Sequence, residues 1–456
     1  MDMHATVPSL TQRLAEHFVG PRAAAPAEAA RVTARSLLLD YLGVALAGSS
    51  SESGRIALRY AQHDGDTGQA SLIGGAGAGV SAERAAFANA ISAHSIELDD
   101  SDVDSYLHFS APVVSAALAA AQVAHRSGHM LLAAIVAGCE MMQRLSRAAN
   151  PSLRDRCFHS TAAIGVFGAT VAAGRLWDLP PVQMVSAIGL AGAQAGGILE
   201  FHGPSMQKRF SPGPAARGGL TAARMAQLGY TGQDTVLDGP RGFLRAFTDR
   251  ADAGALVKDL DVPYRLDIEF KPYACARPIH NAIDCALAIR ERHRPDLEQI
   301  ETIEIARHPS WAHKHRNRTP GSYHAAQMSL EFSVAVALKD GAALLDQYTE
   351  RNLGDRLVHR LMSRVHVGVD PSLQRGVSCR MVIHMQDGRR MVQQVDYPRG
   401  SVRWPLSDLE LEAKFRTLAA PVLGEAGTVR LLDAVGNVEA CTDIAALMAG
   451  TQVMPP

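Results

Sequence analysis

The densest run of chemically able side chains is HSIELDDSDVDSYLHFSAP, residues 94–112, which sets Glu97, Asp99, Asp100, Asp102 and Asp104 between His94 and His108. A carboxylate that orients an imidazole makes an acid–base pair, and this segment supplies both groups. The same oxygens would suit a divalent cation, although the DxDxDG spacing of an EF-hand is absent. A solvated loop with helix caps is the third reading. In CFHSTAAIGVFGA (157–169), His159 opens an apolar helix, where a lone histidine serves as a cap or core group as readily as a catalyst.

Three basic stretches follow. HGPSMQKRFSPGPAARGG (202–219) places Lys208 and Arg209 ahead of a Gly-Pro helix start, and a helix N-terminus beside a lysine favours a carboxylate or phosphate. EFKPYACARPIH (269–280) offers Lys271, Arg277 and His280 for an anionic substrate or for proton transfer; an interdomain linker with incidental charge is the alternative. HPSWAHKHRNRTPGS (308–322) is a basic loop whose His313 and His315 sit two apart, a poor metal spacing unless they lie on a strand. No GxSxG nucleophile elbow exists, and Cys275 is the one cysteine in electropositive surroundings.

The elements that must carry these groups are mostly helices. Apolar residues recur at helical spacing over 27–48 and again near 81–96, 112–127, 130–148, 159–175, 181–198, 214–228 and 232–237, most with Ala or Gly on one face. The glycine-rich IGGAGAGVSAE (73–83) lacks the third glycine of GxGxxG and reads as a tight turn. After about residue 265 the pattern changes. Residues 299–307, 377–386 and 389–397 alternate like strands, the last two flanking an Asp387-Gly388 hairpin signal, with helices near 278–293, 323–340 and 355–363. Helical pattern returns at Ser407, with Glu410 completing a capping box. The expected fold is mainly α: a large all-helical domain formed by both chain ends (1–265 and 405–456) with an inserted α+β domain at 266–404.

Composition removes several function classes. The 456 residues carry 45 Lys+Arg against 46 Asp+Glu, a formal charge of −1, which argues against a general nucleic-acid binder. Hydrophobic residues at 47% and charged residues at 20% describe a globular chain, while 5% aromatics suggest closely packed helices with small-residue cores. Six scattered cysteines form no CxxC pair, so zinc-ribbon and common iron–sulfur spacings are missing and a reducing cytoplasm is the expected compartment. No signal peptide is evident in MDMHATVPSL, and the uncharged stretch 179–199 is too polar for the roughly 20 apolar residues of a membrane span.

Taken together, HSIELDDSD with HFSAP, FHSTAAIG, KRFSPGPAARGGLTAARMAQLGYTG with GPRGF, KPYACARPIH, and AAQMSLEFSVAVALKDG resemble the MmgE/PrpD family over almost the whole chain. The resemblance implies a homodimer whose inserted domain is a lid. It also implies action on small polycarboxylates (2-methylcitrate dehydration, cis-aconitate decarboxylation or iminodisuccinate epimerisation) without a required metal or organic cofactor. Matching the family's positions residue by residue gives His108, His159, Lys208 and Lys271, with Glu97 where Asp is usual and Ser101 where Thr is usual. A histidine of the decarboxylase branch is Ala276 here, and a tyrosine of that branch falls near His315. Those two departures favour dehydration or epimerisation over decarboxylation.

The expected reaction is therefore a cofactor-independent lyase step of the 2-methylcitrate dehydratase type, a proton leaving a carbon next to a carboxylate as water is eliminated. Epimerisation of a small dicarboxylate is the alternative, followed by decarboxylation and by a non-catalytic relative that only binds. His108 or Lys208 is expected to take the proton and His159 to protonate the leaving hydroxyl, with Asp100 or Glu97 orienting a histidine. Lys208, Lys271 and the helix start after Pro212 are expected to hold carboxylates, with Ser101, Arg209, His280 and His315 completing the substrate site.

Overall fold

The computed structural model describes residues 8–453 apart from 66, 78, 202–204 and 375–377, so part of the glycine-rich 73–83 tract and of the 202–219 motif lies outside the described residues. The chain is mainly α, with one four-stranded sheet. Its first half is a bundle that includes Glu28–Ser49, Ala82–Ala93, Ser110–Val123, Gly128–Ala149, Ser160–Leu176 and Pro212–Gln227. Ser160–Leu176 buries every residue except Arg175, so it is a central helix with no solvent face. Small residues make that position possible. A Cβ on Gly219 would lie 2.4 Å from the Ala169 Cβ, and one on Gly168 would lie 2.7 Å from the Gly138 carbonyl oxygen. The aromatic-poor composition is thus the packing requirement of helices whose backbones nearly touch.

Two hydrophobic clusters form. One joins residues 14–268 to Leu411, Phe415, Ala419 and further residues up to Met448, so the last part of the chain packs back on the first half. The other gathers residues 273–395 and reaches out to Val44, Ile96, Leu98 and Leu418. The strands are β1 (Ile300–Arg307), β2 (Val365–Val369), β3 (Cys379–Met385) and β4 (Arg390–Val395), in spatial order β2-β1-β3-β4. Here β2 runs parallel to β1, β3 antiparallel to β1, and β4 antiparallel to β3. Gly388, at φ +84°, makes the β3–β4 turn expected from Asp387-Gly388. The Ser407–Glu410 capping box opens Asp408–Gly436, which Gly424 interrupts at φ +68°.

Four expectations need correction. No helix covers 232–237, which is a series of turns. The 181–198 segment is helical only over Pro181–Gly192. Residues 323–340 divide into Tyr323–Ala326 and Leu330–Asp340, because the Ser329 hydroxyl accepts from Phe332 N and starts a new helix. Finally, β2 was not foreseen: VHVGV does alternate, but over only five residues that follow directly on the helix Arg356–Arg364, and β2 pairs parallel to β1. Among the described residues no helix is long and apolar enough to cross a membrane.

Candidate active site

The acidic motif leaves the helix Ala82–Ala93 and enters the helix Ser110–Val123 through a buried loop. Asp100 explains the second junction. Its two carboxylate oxygens accept from Phe109 N (2.7 Å) and Ser110 N (2.9 Å), capping that helix. It does not line the cavity described below, so its place is structural, and no histidine ring hydrogen-bonds its carboxylate.

Asp99, the carboxylate beside it, holds the histidines. Asp99 Oδ2 lies 2.6 Å from His94 Nδ1 and 3.1 Å from His108 Nδ1, while Oδ1 lies 3.4 Å from Lys271 Nζ. Burial alone would push this carboxyl up, but His94, His108 and Lys271 outweigh it and hold it well below the usual range. Burial brings the His94 ring down to about 4 against the pull of Asp99, so His94 is neutral near pH 7 and its Nδ1–H donates. His108 Nδ1 also lies 2.7 Å from the Asp100 carbonyl oxygen. With two acceptors facing Nδ1, that nitrogen carries the proton and Nε2 is left as the basic nitrogen. His94, Asp99 and His108 are near enough to share a metal ion. The 2.6 Å His94–Asp99 contact is a hydrogen bond, and Lys271 brings positive charge to the same carboxylate.

Glu97, at φ +58°, turns its carboxylate into a group of cations. It pairs with Lys208, and Arg209 and Lys271 lie 3.6 and 3.7 Å away. Burial opposes its ionisation, but Lys208, Lys271 and Arg209 prevail and hold its pKa well below the usual value. Lys271 is fully buried, donates to the Glu97 carbonyl oxygen at 3.2 Å, and is held protonated by Asp99 and Glu97 against its burial. Burial shifts Lys208 the other way, below the ordinary lysine value.

Glu97, His108, Lys208 and Lys271 border a cavity of about 100 Å3 that also takes in Ser101, His159, Arg154, Arg277, Trp311 and His315. Glu97, Tyr106 and His315, three non-glycine residues with positive φ, are all on its wall. Such conformations cost about 1–3 kcal/mol each and persist where the surroundings impose them. Four buried polar atoms of the lining residues have no hydrogen-bond partner: Glu97 Oε2, Ser101 Oγ, His159 Nδ1 and Arg277 Nη2. Buried polar atoms are nearly always paired, and a polar ligand in the cavity would supply partners for these four. His159 is driven well below its usual pKa by burial and by the neighbouring His94, His108 and Lys208, which makes it neutral rather than a ready acid.

Of the residues expected from sequence, the cavity brings together His108, His159, Lys208, Lys271, Glu97, Ser101 and His315. Arg209 lies behind Glu97 and donates to Gln327 Oε1 at 3.2 Å. His280 is fully buried and off the cavity; its Nδ1 accepts from Arg277 Nη1 at 2.9 Å. It therefore positions Arg277, whose Nε also donates to Glu269. The helix start after Pro212 does not reach the cavity either, as Gly213 packs on Ile91 and Phe87. Sequence reasoning passed over Arg154 and Gln327, and it noted His94, Asp99 and Arg277 without selecting them. Gln327 Nε2 donates to the Ile96 and Ala274 carbonyls, tying the acidic loop to the segment that bears Lys271. Its position in the AAQMS anchor was the available signal.

Comparison with known sequences followed the same line. The profile of the MmgE/PrpD N-terminal domain matches residues 12–255, and that of the MmgE/PrpD C-terminal domain matches residues 273–439. A cis-aconitate decarboxylase-like protein, oryM, of Aspergillus oryzae is 30% identical over 447 residues, covering 91% of this chain and 92% of the relative. The cis-aconitate decarboxylase of Aspergillus terreus is 30% identical over 396 residues, 80% of each chain. Its counterpart from Homo sapiens is 27% identical over 435 residues, 91% of this chain and 89% of the relative.

Proposed function

The chain belongs to the MmgE/PrpD family, and from that premise we propose that it is a lyase acting on a small hydroxy-polycarboxylate, removing a proton next to a carboxylate and eliminating water. The observation that carries this reading is the set of unpartnered atoms on residues that line the cavity. Glu97 Oε2 is a pure acceptor with only the Lys271 ammonium, 3.7 Å away, facing it, and the O–H of a hydroxy acid would give it a hydrogen bond that a plain unsaturated polycarboxylate would not. Arg277 Nη2 and Lys208 supply donors for carboxylates, and Lys271 has a third N–H beyond the two facing Glu97 and Asp99.

In this scheme His108 Nε2 takes the proton. The negative charge that develops on the adjacent carboxylate is met by Lys271 and Arg277, fixed donors in a site with little water. Lys208, softened by burial, is the acid for the departing hydroxyl. His159 takes the role of hydrogen-bonding the substrate in place of the acid role expected from sequence, since its neutral ring has little proton to give. The sheet-bearing unit about residues 266–404 acts as the lid and contributes Lys271, Arg277 and His315 to the closed site. A homodimer and a cytoplasmic location fit this family reading.

Decarboxylation is the second reading, and the names of the relatives favour it. Ala276 on the cavity wall counts against the residue set expected of that branch. One experiment separates the two: hydroxy- and unsaturated polycarboxylates incubated in deuterated water and followed by NMR. Dehydration yields an alkene from a hydroxy acid with exchange at the neighbouring carbon. Carbon dioxide release from cis-aconitate would replace the first reading with the second. Exchange without net product would indicate epimerisation, and no change with any acid would overturn the enzyme reading.

A further inference from the structure

The inner cavity is not the only one that Arg154 borders. Tyr106, Arg154, Leu199, His315 and Met328 also border a second, larger cavity of about 520 Å3 on their other side. Two cations dominate that outer space. The Arg154 guanidinium lies over the Tyr106 ring at 5.2 Å, and the Lys314 ammonium over the Trp311 ring at 4.7 Å. Among the described residues neither has a carboxylate within ion-pair distance. Arg316, beside them, is neutralised by Glu331 at 2.6 Å. Asp155, the one carboxylate on this wall, is exposed and forms no ion pair with either. Burial weakens the hold of both side chains on their protons and the charge of Arg154 further depresses Lys314, while the nearby Asp155 charge partly opposes this on both. The Arg154 cation is half-buried and the Lys314 cation exposed; both sit on aromatic platforms and repel each other, a repulsion that an anion between them relieves.

We propose that Arg154 and Lys314 form an outer anion seat that holds the distal carboxylate of the substrate, while its reacting end lies among His108, Lys208 and Lys271. The seat rests on the polycarboxylate reading above and makes the enzyme selective for acids with carboxylates at both ends of a short chain. A guanidinium shared by both cavities grips the acid at their junction, and the ammonium meets the outer oxygen.

The test uses two inert probes, tricarballylate with three spaced carboxylates and malonate with two on one carbon. Titration calorimetry compares wild type with Arg154→Gln, Lys314→Gln and the double variant, with circular dichroism as the check on folding. Each single change is expected to weaken tricarballylate about tenfold and malonate less than twofold. Arg154→Lys, which keeps the charge but loses the fork, should fall between wild type and Arg154→Gln. In turnover the same variants should raise KM with kcat nearly held, the mark of lost uniform binding. Unchanged tricarballylate affinity in the double variant would overturn the seat. So would equal weakening of both probes, or a wild type that binds neither. If tricarballylate depends on Arg154 as expected while no acid is turned over or exchanges deuterium, the seat stands and the lyase reading falls.

Discussion

At the residue scale, two adjacent aspartates divide the work that the sequence could not apportion. Asp100 satisfies backbone N–H groups and Asp99 satisfies rings, although both sit in one DD pair. Asp99→Asn should therefore lower kcat by about a hundredfold or more, because an amide can present N–H to His108 and favour the wrong tautomer. Steady-state kinetics with a pH profile would check this; a KM effect alone would count against it. Glu97→Gln should lower stability by roughly 3 kcal/mol at neutral pH, since it leaves Lys208 without its carboxylate in a buried place and Lys271 with Asp99 alone. Urea denaturation measures that loss. The residue types and their clustering were legible in sequence. Which oxygen faces which ring was not, because that depends on where a loop bends.

At the scale of elements, the helix Ser160–Leu176 and its neighbour Pro212–Gln227 approach so closely that a single methyl is excluded. Gly219→Ala should cost about 1–3 kcal/mol, because its Cβ would meet the backbone of Ala169 and Thr170 rather than a movable side chain. A thermal melt unchanged by this substitution would refute the packing argument. The helix opening at Asp408 is tied to the site loop by Lys414, whose ammonium donates to Asp40 Oδ1 at 2.5 Å and to the Leu98 carbonyl at 2.8 Å. Burial raises Asp40 to about 6 despite Lys414. Lys414→Met should thus destabilise by roughly 3 kcal/mol at pH 7.5. The deficit should shrink toward pH 5, where the orphaned carboxyl takes up a proton. Helix periodicity and the hairpin were readable locally. The breaks at Gly192 and Ser329 were missed because apolar pattern continues through them, whereas β2 was missed because its alternation is only five residues long and abuts the helix Arg356–Arg364.

Across the whole molecule, several buried histidines share one electrostatic fate. His94 and His324 are brought down to about 4, and His159 and His280 well below their usual value, in each case first by burial. The unfolded chain binds protons at these rings below about pH 6.5, whereas the folded chain stays neutral there. Stability is therefore fully present above that pH and lost as pH falls toward 4. His94 alone should contribute a loss on the order of 2 kcal/mol between pH 7 and 5. Asp40 works in the opposite direction and offsets part of the total. Denaturant midpoints that fall steadily from pH 7 to 5 would bear this out; a flat or rising series would not.

Composition and motif order by themselves determined a mainly helical chain with small-residue cores, its family resemblance, and the histidines and lysines that meet in one cavity. Those features are local: a methyl-sized side chain, a helical period and a motif are present before the chain folds. Only the tertiary structure decided that Asp99 rather than Asp100 holds the rings, that His280 serves Arg277, and that the Pro212 helix start packs on Phe87 instead of facing substrate. It alone brought Arg154, from the short helix Ser152–Asp155, to the same cavity as Lys314 from a loop far along the chain. The physical reason is common to all of these. Charge and hydrogen-bond roles are set by distances of a few ångströms between segments remote in sequence, and burial fixes which of the possible partners each group must take.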